Sequence, residues 1–344
     1  MKSVFEGWSW QPPAGWLRLQ TLDMHTGGEP LRVFVSGLPP LPGSTVLQKR
    51  RYFRDNYDYI RTGTMWEPRG HADMYGAVLT PATDADFDVF FLHNEGYSTM
   101  CGHAIIALTT LAVETGLVQP AARIKLSFNV PAGRIEASAR LENGRARDVS
   151  FRNVPSFAYA QALGLDVPGI GHVRFDIAYG GAFYALVDAQ PLGLRLVPAE
   201  FSRIVDYGRR IKHAVMSALA IQHPVEPDLS FLYGTIFTGA AEHADCHSRN
   251  VCIFADGELD RSPTGSGVSA RAALLHARGE LQVGERLVIE SILGTRMSVQ
   301  AVEQVKFGPY DAVIPEVGGT ASITGRHEFY FDPADPLRSG FILR

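Results

Sequence analysis

Two short segments each place a side chain that can exchange protons or form hydrogen bonds next to glycines. In both, these residues stand at the start of an apolar stretch. The first is Met100-Cys101-Gly102-His103, which follows a polar run. The second runs from Asp260 to Ala270 and contains Thr264-Gly265-Ser266-Gly267. Each pattern predicts a helix N-terminus, where unpaired N–H groups and the helix dipole favour anions. We call residues 100–103 the Cys101 elbow and residues 260–270 the Thr264 elbow.

The Cys101 elbow suits acid–base chemistry. The helix dipole contributes about 0.3–1 kcal/mol, and about 2 kcal/mol in partly buried sites. At about 1.36 kcal/mol per pKa unit, this lowers a thiol pKa near 8.5 by about one unit. We therefore expect Cys101 to accept and donate a proton near neutral pH. The N–H groups of Gly102 and His103 are expected to hold a carboxylate.

The Thr264 elbow contains no lysine at the spacing of a phosphate-binding P-loop. Its glycines allow close approach of the backbone to a ligand, although such a run is also typical of a solvent loop that caps a helix.

The segments after the two elbows have the same length and share residues at matching offsets: Ala107 and Ala270, Leu111 and Leu274, Gly116 and Gly279. This correspondence indicates duplicated half-domains, unless two short apolar helices align by chance.

Composition narrows the class of protein. A chain of 344 residues exceeds the size of one hydrophobic core, so we expect two domains. The 32 basic and 36 acidic residues give a net charge of −4, without a basic cluster, which argues against nucleic acid and anionic membranes as partners. No apolar run reaches the length of a membrane span, and the N-terminal residues do not resemble a secretory signal. Three cysteines do not suggest a disulfide framework, so we expect reduced thiols and a cytoplasmic location.

Many short strands and few helices predict an α+β architecture. The predicted strands are Leu31–Val35, Asp88–Leu92, Ile124–Phe128, Asp148–Phe151, Phe183–Val187, Val251–Phe254 and Leu287–Ile289. Apolar residues at three- and four-residue spacing predict helices at Ala104–Thr115, Phe201–Ile221 and Val268–Ala277. The segment 157–171 is the predicted domain boundary.

The sequence resembles the proline racemase family from Asp23 to the C-terminus. The resemblance is carried by Met24–Pro30, Glu67–Met74, Met100–His103, Tyr179–Gly181, Arg249–Val251 and Asp260–Gly267. It implies a diaminopimelate-epimerase-like fold of two similar domains, each with a mixed β-sheet or barrel around a central helix, and an active site between them. We assign residues 1–157 with 330–344 to the first domain and residues 158–329 to the second. The resemblance also implies a homodimer that needs no pyridoxal phosphate or metal.

Thr264 departs from the racemase pattern, in which both elbows carry cysteine. A threonine hydroxyl without a base cannot exchange a proton at neutral pH as a thiol can. The Cys101/Thr264 pair resembles instead the dehydratase branch of the family, which acts on trans-3-hydroxy-L-proline. In that substrate the C2 hydrogen and the 3-hydroxyl share one ring face, so a single acid–base group suffices. A racemase or hydroxyproline 2-epimerase, with Thr264 helped by water, is the alternative; a catalytically silent amino-acid-binding protein is another.

The resemblance implies further site residues. Gly102-His103 and Gly265-Ser266 would hold the substrate carboxylate, and His103 and Asp260 would contact the ring nitrogen. His243, Cys246, His247 and Cys252 match no standard zinc spacing, so no metal site is expected.

Overall fold

The computed structural model describes residues 3–343. Its helices are α1 Val46–Met65, α2 Gly102–Glu114, α3 Phe201–Ala218 and α4 Gly265–Ala277. Its strands are β1 Leu17–Thr26, β2 Glu29–Ser36, β3 Tyr75–Pro81, β4 Phe87–His93, β5 Gly96–Ser98, β6 Arg123–Val130, β7 Gly133–Glu142, β8 Arg145–Arg152, β9 Ser156–Val167, β10 Gly171–Tyr179, β11 Phe183–Asp188, β12 Leu232–Gly239, β13 Ser248–Phe254, β14 Glu258–Leu259, β15 Arg286–Glu290, β16 Arg296–Phe307, β17 Tyr310–Gly319 and β18 Ala321–Phe331. The predicted α+β class is confirmed, and all seven predicted strands lie within observed strands.

The first half of the chain forms a mixed barrel around α2. Its strands pair in the order β18-β1-β2-β3-β4-β6-β7-β8, with parallel pairs at β2–β3 and β4–β6. Strand β8 also pairs with the end of β17, and the chain continues from there into β18, which closes the barrel. Every residue of α2 from Gly102 to Val113 is buried. A helix that is apolar all round needs such an enclosure.

The second half repeats this arrangement around α4. Its strands pair in the order β9-β10-β11-β12-β13-β15-β16-β17, and β17 pairs back with β9. The pairs β11–β12 and β13–β15 are parallel, as in the first barrel. Helix α4 packs against β9, β10, β11, β16 and β17. The duplication suggested by the two elbows is therefore present in the strand pairing.

The helix ends show how local signals set the central helices. Gly116 and Gly279 follow α2 and α4 with φ of +72° and +75°, the left-handed conformation predicted for them. Helices α2 and α4 begin two and three residues before the predicted starts, because the elbow glycines are already helical. Helix α3 ends at Ala218, three residues before the predicted end.

Helix α1 was not predicted. Its sequence is rich in charged residues, and three of these are buried: Lys49, Arg50 and Arg61. The Lys49 ammonium lies 2.7 Å from the Asp88 carboxylate in β4, so the charge is paired inside the fold. A hydrophobic pattern cannot reveal a helix whose buried face carries charges that distant residues neutralise.

The predicted domain division stays a prediction. The segment 157–171 is not a separate linker, since it forms most of β9 and the turn into β10. Strand β18 crosses the predicted boundary at residue 329 and pairs with β1 along its whole length. Within residues 3–343, no helix is both long and apolar enough to cross a membrane.

Candidate active site

The N-termini of the two central helices meet. Cys101 is the N-cap residue of α2, and Thr264 occupies the same position before α4. A Cβ atom added to Gly102 would lie 2.6 Å from the Cα of Gly265, so only glycine allows this approach. The first-turn N–H groups of both helices lack acceptors within their own helices. Two positive helix ends therefore converge on one place.

The Cys101 side chain is 3% exposed and lies among polar groups. Its Sγ atom is 3.1 Å from His103 Nδ1 and accepts a hydrogen bond of 3.4 Å from the Ala104 amide. Burial nevertheless raises the pKa of the thiol well above its ordinary value. Hydrogen bonds from the Ala104 amide and the Tyr75 hydroxyl lower this pKa, whereas the charges of Asp260 and Glu29 raise it further. The expected lowering by the helix dipole is therefore wrong in direction, because desolvation outweighs it.

His103 is buried and neutral. Burial lowers the pKa of its imidazole, and the nearby Asp260 only partly opposes this shift. The Nε2 atom lies 3.3 Å from the Pro30 carbonyl, which can only accept, so Nε2–H donates there. In the neutral ring Nδ1 then carries a lone pair and faces the Cys101 thiol. The geometry allows the thiol to pass its proton to His103, but burial opposes this transfer, because it raises the pKa of the thiol and lowers that of the imidazole.

Thr264 has an unusual backbone for a β-branched residue. Its φ is +69°, in the left-handed region that favours glycine, whereas Cys101 has φ −144°. The Thr264 side chain is buried, and its Oγ1 has no hydrogen-bond partner among residues 3–343. The two elbows are therefore similar in position and unlike in conformation. A strained, unsatisfied hydroxyl is typical of a functional position.

Asp260 and Glu29 form a buried acidic pair beside the elbows. Asp260 is 4% exposed, and its Oδ1 accepts a hydrogen bond of 2.8 Å from the Ser262 amide. Glu29 Oε2 accepts one of 2.7 Å from the Arg261 amide. Burial, followed by the charge of Asp260, raises the pKa of the Glu29 carboxyl well above its ordinary value. The pair is placed to bind a cation.

One cavity joins the two elbows. Its lining includes all seven residues proposed from the sequence: Cys101, Gly102, His103, Asp260, Thr264, Gly265 and Ser266. Its volume is about 20 Å³, close to what one water molecule requires. A ring-sized ligand can enter only if the two halves separate or side chains move.

Sequence reasoning missed the other lining residues, which come mostly from strands: Tyr75, Met100, Tyr184, Tyr233 and Phe254. The Tyr184 hydroxyl lies 2.7 Å from Ser266 Oγ, and Tyr233 stacks on Phe254 with ring centroids 5.5 Å apart. A tyrosine within an otherwise apolar buried strand is a signal for such residues, since its hydroxyl needs a partner. That signal is weak, because it does not say which strands meet.

Two of the residues considered for zinc have other surroundings. Cys252 is fully buried in β13, and His243 Nδ1 hydrogen-bonds with Glu290. In the described part of the chain, no group of three or more His, Cys, Asp or Glu side chains could hold a metal ion.

Comparison with known proteins identifies relatives over nearly the whole chain. A trans-3-hydroxy-L-proline dehydratase from Colwellia psychrerythraea is 52% identical over 341 residues, which cover 97% of this chain and 96% of that protein. A protein of the same name from Homo sapiens is 47% identical over 335 residues and covers 95% of each. A crystal structure of a hydroxyproline epimerase from Agrobacterium vitis, with bound trans-4-hydroxy-L-proline, has a TM-score of 0.91 at 31% identity and covers 96% of each chain.

The TM-score of 0.91 shows that this chain shares the fold of the epimerase structure. The proline racemase family matches residues 21–342, which includes every residue of the cavity. The chain therefore belongs to the proline racemase family.

Proposed function

We propose that the protein dehydrates trans-3-hydroxy-L-proline to Δ1-pyrroline-2-carboxylate and water, without a cofactor and with Cys101 as acceptor of the C2 proton. The observation that carries this proposal is the pair of unlike elbows, a thiol at one and a threonine hydroxyl at the other, around a single cavity. Two relatives named trans-3-hydroxy-L-proline dehydratase, at 52% and 47% identity, support it.

The substrate would bind by its charged groups. Its carboxylate would accept hydrogen bonds from the first-turn amides of Gly102, His103, Gly265 and Ser266, where both helix dipoles are favourable. Its ring ammonium would lie beside His103 and against the Asp260 carboxylate, whose negative charge offsets the positive charge that His103 acquires when it takes the thiol proton. A nitrogen kept cationic stabilises the negative charge that develops at the adjacent C2.

Proton removal requires the thiolate of Cys101. Because burial holds the thiol protonated, its proton must first go to an acceptor, and the lone pair of His103 Nδ1 at 3.1 Å provides one. The thiolate then takes the C2 proton, the C2–H electron pair forms the C2=C3 bond, and the C3–O bond breaks. The leaving oxygen gains a proton as water departs, and the enamine tautomerises to Δ1-pyrroline-2-carboxylate.

Thr264 favours this reaction over the racemase alternative. Inversion at C2 needs an acid on the face opposite Cys101, and an aliphatic hydroxyl is too weak for that task. The Cys252 thiol interacts with Thr264, but burial raises the pKa of this thiol well above its ordinary value, so it is not a base that could activate the hydroxyl. Dehydration requires no acid on that face, so the threonine does not limit it.

Three incubations test the proposal: purified protein with L-proline, with trans-4-hydroxy-L-proline and with trans-3-hydroxy-L-proline. We expect Δ1-pyrroline-2-carboxylate from the 3-hydroxy isomer alone, measured as proline after borohydride reduction, and little D-configured product from the others. Epimerisation of the 4-hydroxy isomer at a rate equal to dehydration would support the isomerase instead. A protein that binds these amino acids without turning any over would be a binding protein.

The assembly and the compartment belong to the same proposal. We infer a homodimer from the family resemblance, and a cytoplasmic location, which suits three free cysteines. Light scattering coupled to gel filtration would measure the assembly, and a monomer at micromolar concentration would contradict it.

A further inference from the structure

Tyr75 lies on the Cys101 side of the cavity and has no role in the proposed dehydration so far. Tyr75 is the first residue of β3, is 2% exposed and lines the cavity. Its ring lies edge-on to the imidazole of His103, with centroids 4.8 Å apart. Its hydroxyl hydrogen-bonds with Ser98 Oγ, at the end of β5. Tyr75 therefore belongs to the same side as the Cys101–His103 pair.

The leaving group creates a requirement on that side. Hydroxide is a poor leaving group, so its departure needs a proton donor near C3. In trans-3-hydroxy-L-proline the 3-hydroxyl shares a ring face with the C2 hydrogen. The acid that assists its departure must therefore lie on the face that Cys101 occupies. It is either the Cys101 thiol, once it holds the C2 proton, or a second acid that lets both bonds break together.

The other two tyrosines of the cavity fit this requirement less well. The Tyr184 hydroxyl is paired with Ser266 of the Thr264 elbow, 2.7 Å away, on the opposite side. Tyr233 belongs to β12 of the second barrel and stacks on Phe254, and its hydroxyl interacts with that of Tyr75 rather than with His103. Tyr75 alone among the three comes from the first barrel and contacts His103.

We propose that Tyr75 is the acid that protonates the departing 3-hydroxyl and, through that contact, selects substrates hydroxylated at C3. This inference rests on the proposed function. Either hydroxyl of the Tyr75–Ser98 pair can donate; when Ser98 donates, the Tyr75 O–H is available to the cavity, on the side of the Cys101 thiol. Burial raises the pKa of Tyr75 well above its ordinary value, so the phenol carries its proton when substrate binds.

The protons balance over one turnover. The Cys101 thiolate takes the C2 proton, the C2–H electrons form the double bond, and the C3–O bond breaks as its oxygen takes the Tyr75 proton to leave as water. The tyrosinate then recovers a proton from His103, which received it from the Cys101 thiol at the start. The thiol, the neutral imidazole and the phenol are all restored.

The first experiment measures turnover of trans-3-hydroxy-L-proline by the wild type, Tyr75→Phe and Tyr179→Phe. Tyr179 is a matched control, since it is also buried, its hydroxyl has no partner among residues 3–343, and it does not line the cavity. We expect kcat to fall about 100-fold in Tyr75→Phe, within the usual range for a general acid. Tyr179→Phe should stay within twofold of the wild type.

The second experiment separates recognition of the hydroxyl from support of the fold. In a Cys101→Ser background, which prevents turnover, calorimetry measures the affinities for L-proline and trans-3-hydroxy-L-proline. Adding Tyr75→Phe should weaken binding of the hydroxylated ligand about tenfold and leave that of L-proline within twofold. Equal losses for both ligands would mean that Tyr75 only supports the site, and would overturn the proposal.

The remaining outcomes are also decisive. A Tyr75→Phe variant with kcat within threefold of an active wild type overturns the role of Tyr75 and leaves the dehydratase assignment intact. A wild type that does not dehydrate trans-3-hydroxy-L-proline contradicts both the role of Tyr75 and the dehydratase assignment. If Tyr75→Phe does not fold, Ser98→Ala tests the same hydroxyl through its hydrogen-bond partner. We expect kcat to fall about tenfold and the affinity for L-proline to stay unchanged. An unchanged kcat would contradict the proposal.

Discussion

Gly102 and Gly265 face each other across the junction of the two barrels, with no room for a side chain on either. A Cβ on Gly102 would lie 2.6 Å from the Gly265 Cα, and a Cβ on Gly265 would lie 2.7 Å from the Gly102 Cα. Both contacts are with backbone, which cannot rotate away as a side chain can. The distance between the Cys101 and Thr264 elbows, and with it the width of the substrate site, depends on this pair.

Gly102→Ala should therefore separate the elbows. We expect dehydration to fall at least 100-fold, because misplacement by about 1 Å can cost that much. Gly116→Ala is a matched control: no atom lies within 4 Å of its Cβ, and only its φ of +72° is unfavourable. The control should lose about 1–2 kcal/mol of stability and keep its kcat. Steady-state kinetics and urea unfolding would measure both, and a fully active Gly102→Ala would contradict the role of this contact.

Cys101→Ser should abolish turnover without unfolding the protein. Serine fits the N-cap position and can accept from the Ala104 amide, but its hydroxyl is too weak a base. We expect activity below about one hundredth of the wild type, since general acid–base groups contribute about 10²–10⁴-fold. Circular dichroism would check the fold. Dehydration above that level would remove Cys101 from the role of base.

Thr264→Cys should add epimerase activity. The change places a titratable group opposite Cys101, in a position that already tolerates a non-glycine residue at φ +69°. We expect D-configured product from L-proline by chiral chromatography, with dehydration reduced or retained. In D₂O the variant should deliver deuterium to the face opposite Cys101, whereas the wild type should not. An epimerising wild type would refute the assignment.

Glu29→Gln should change how stability depends on pH. Because the folded state raises the pKa of Glu29, the native protein binds more protons than the unfolded chain. Stability from this group is complete below the unfolded pKa of about 4.3 and is lost as pH rises towards the folded pKa. The variant lacks this loss, so its free energy of unfolding should increase relative to the wild type as pH rises.

Urea unfolding at several pH values from 5 to 9 would measure the difference. Glu328→Gln is the control. Tyr330 and Arg18 lower the pKa of this exposed carboxyl, so the shift is opposite to that of Glu29. The contribution of Glu328 to stability is constant above pH 5, and the difference between this variant and the wild type should not change from pH 5 to 9. A difference between Glu29→Gln and wild type that does not vary with pH would show that Glu29 is ionised in the folded protein.

The sequence by itself determined the local features of the site. Helices α2 and α4 are delimited by residues next to them in the chain, an elbow before each and Gly116 or Gly279 after each. Their equal lengths disclosed the duplication, and the elbow motifs contained all seven proposed site residues. Such features depend on backbone preferences within a few residues, which sequence records directly.

Tertiary structure decided what depends on distant neighbours. Helix α1 escaped prediction because Lys49 is neutralised by Asp88, which lies in another element. The pKa of Cys101 rises rather than falls because both barrels remove water from it, and desolvation exceeds the dipole of a single helix. Tyr75 reaches the site only because β3 begins beside the Cys101 elbow. Burial and strand pairing are properties of the whole fold, and no local pattern encodes them.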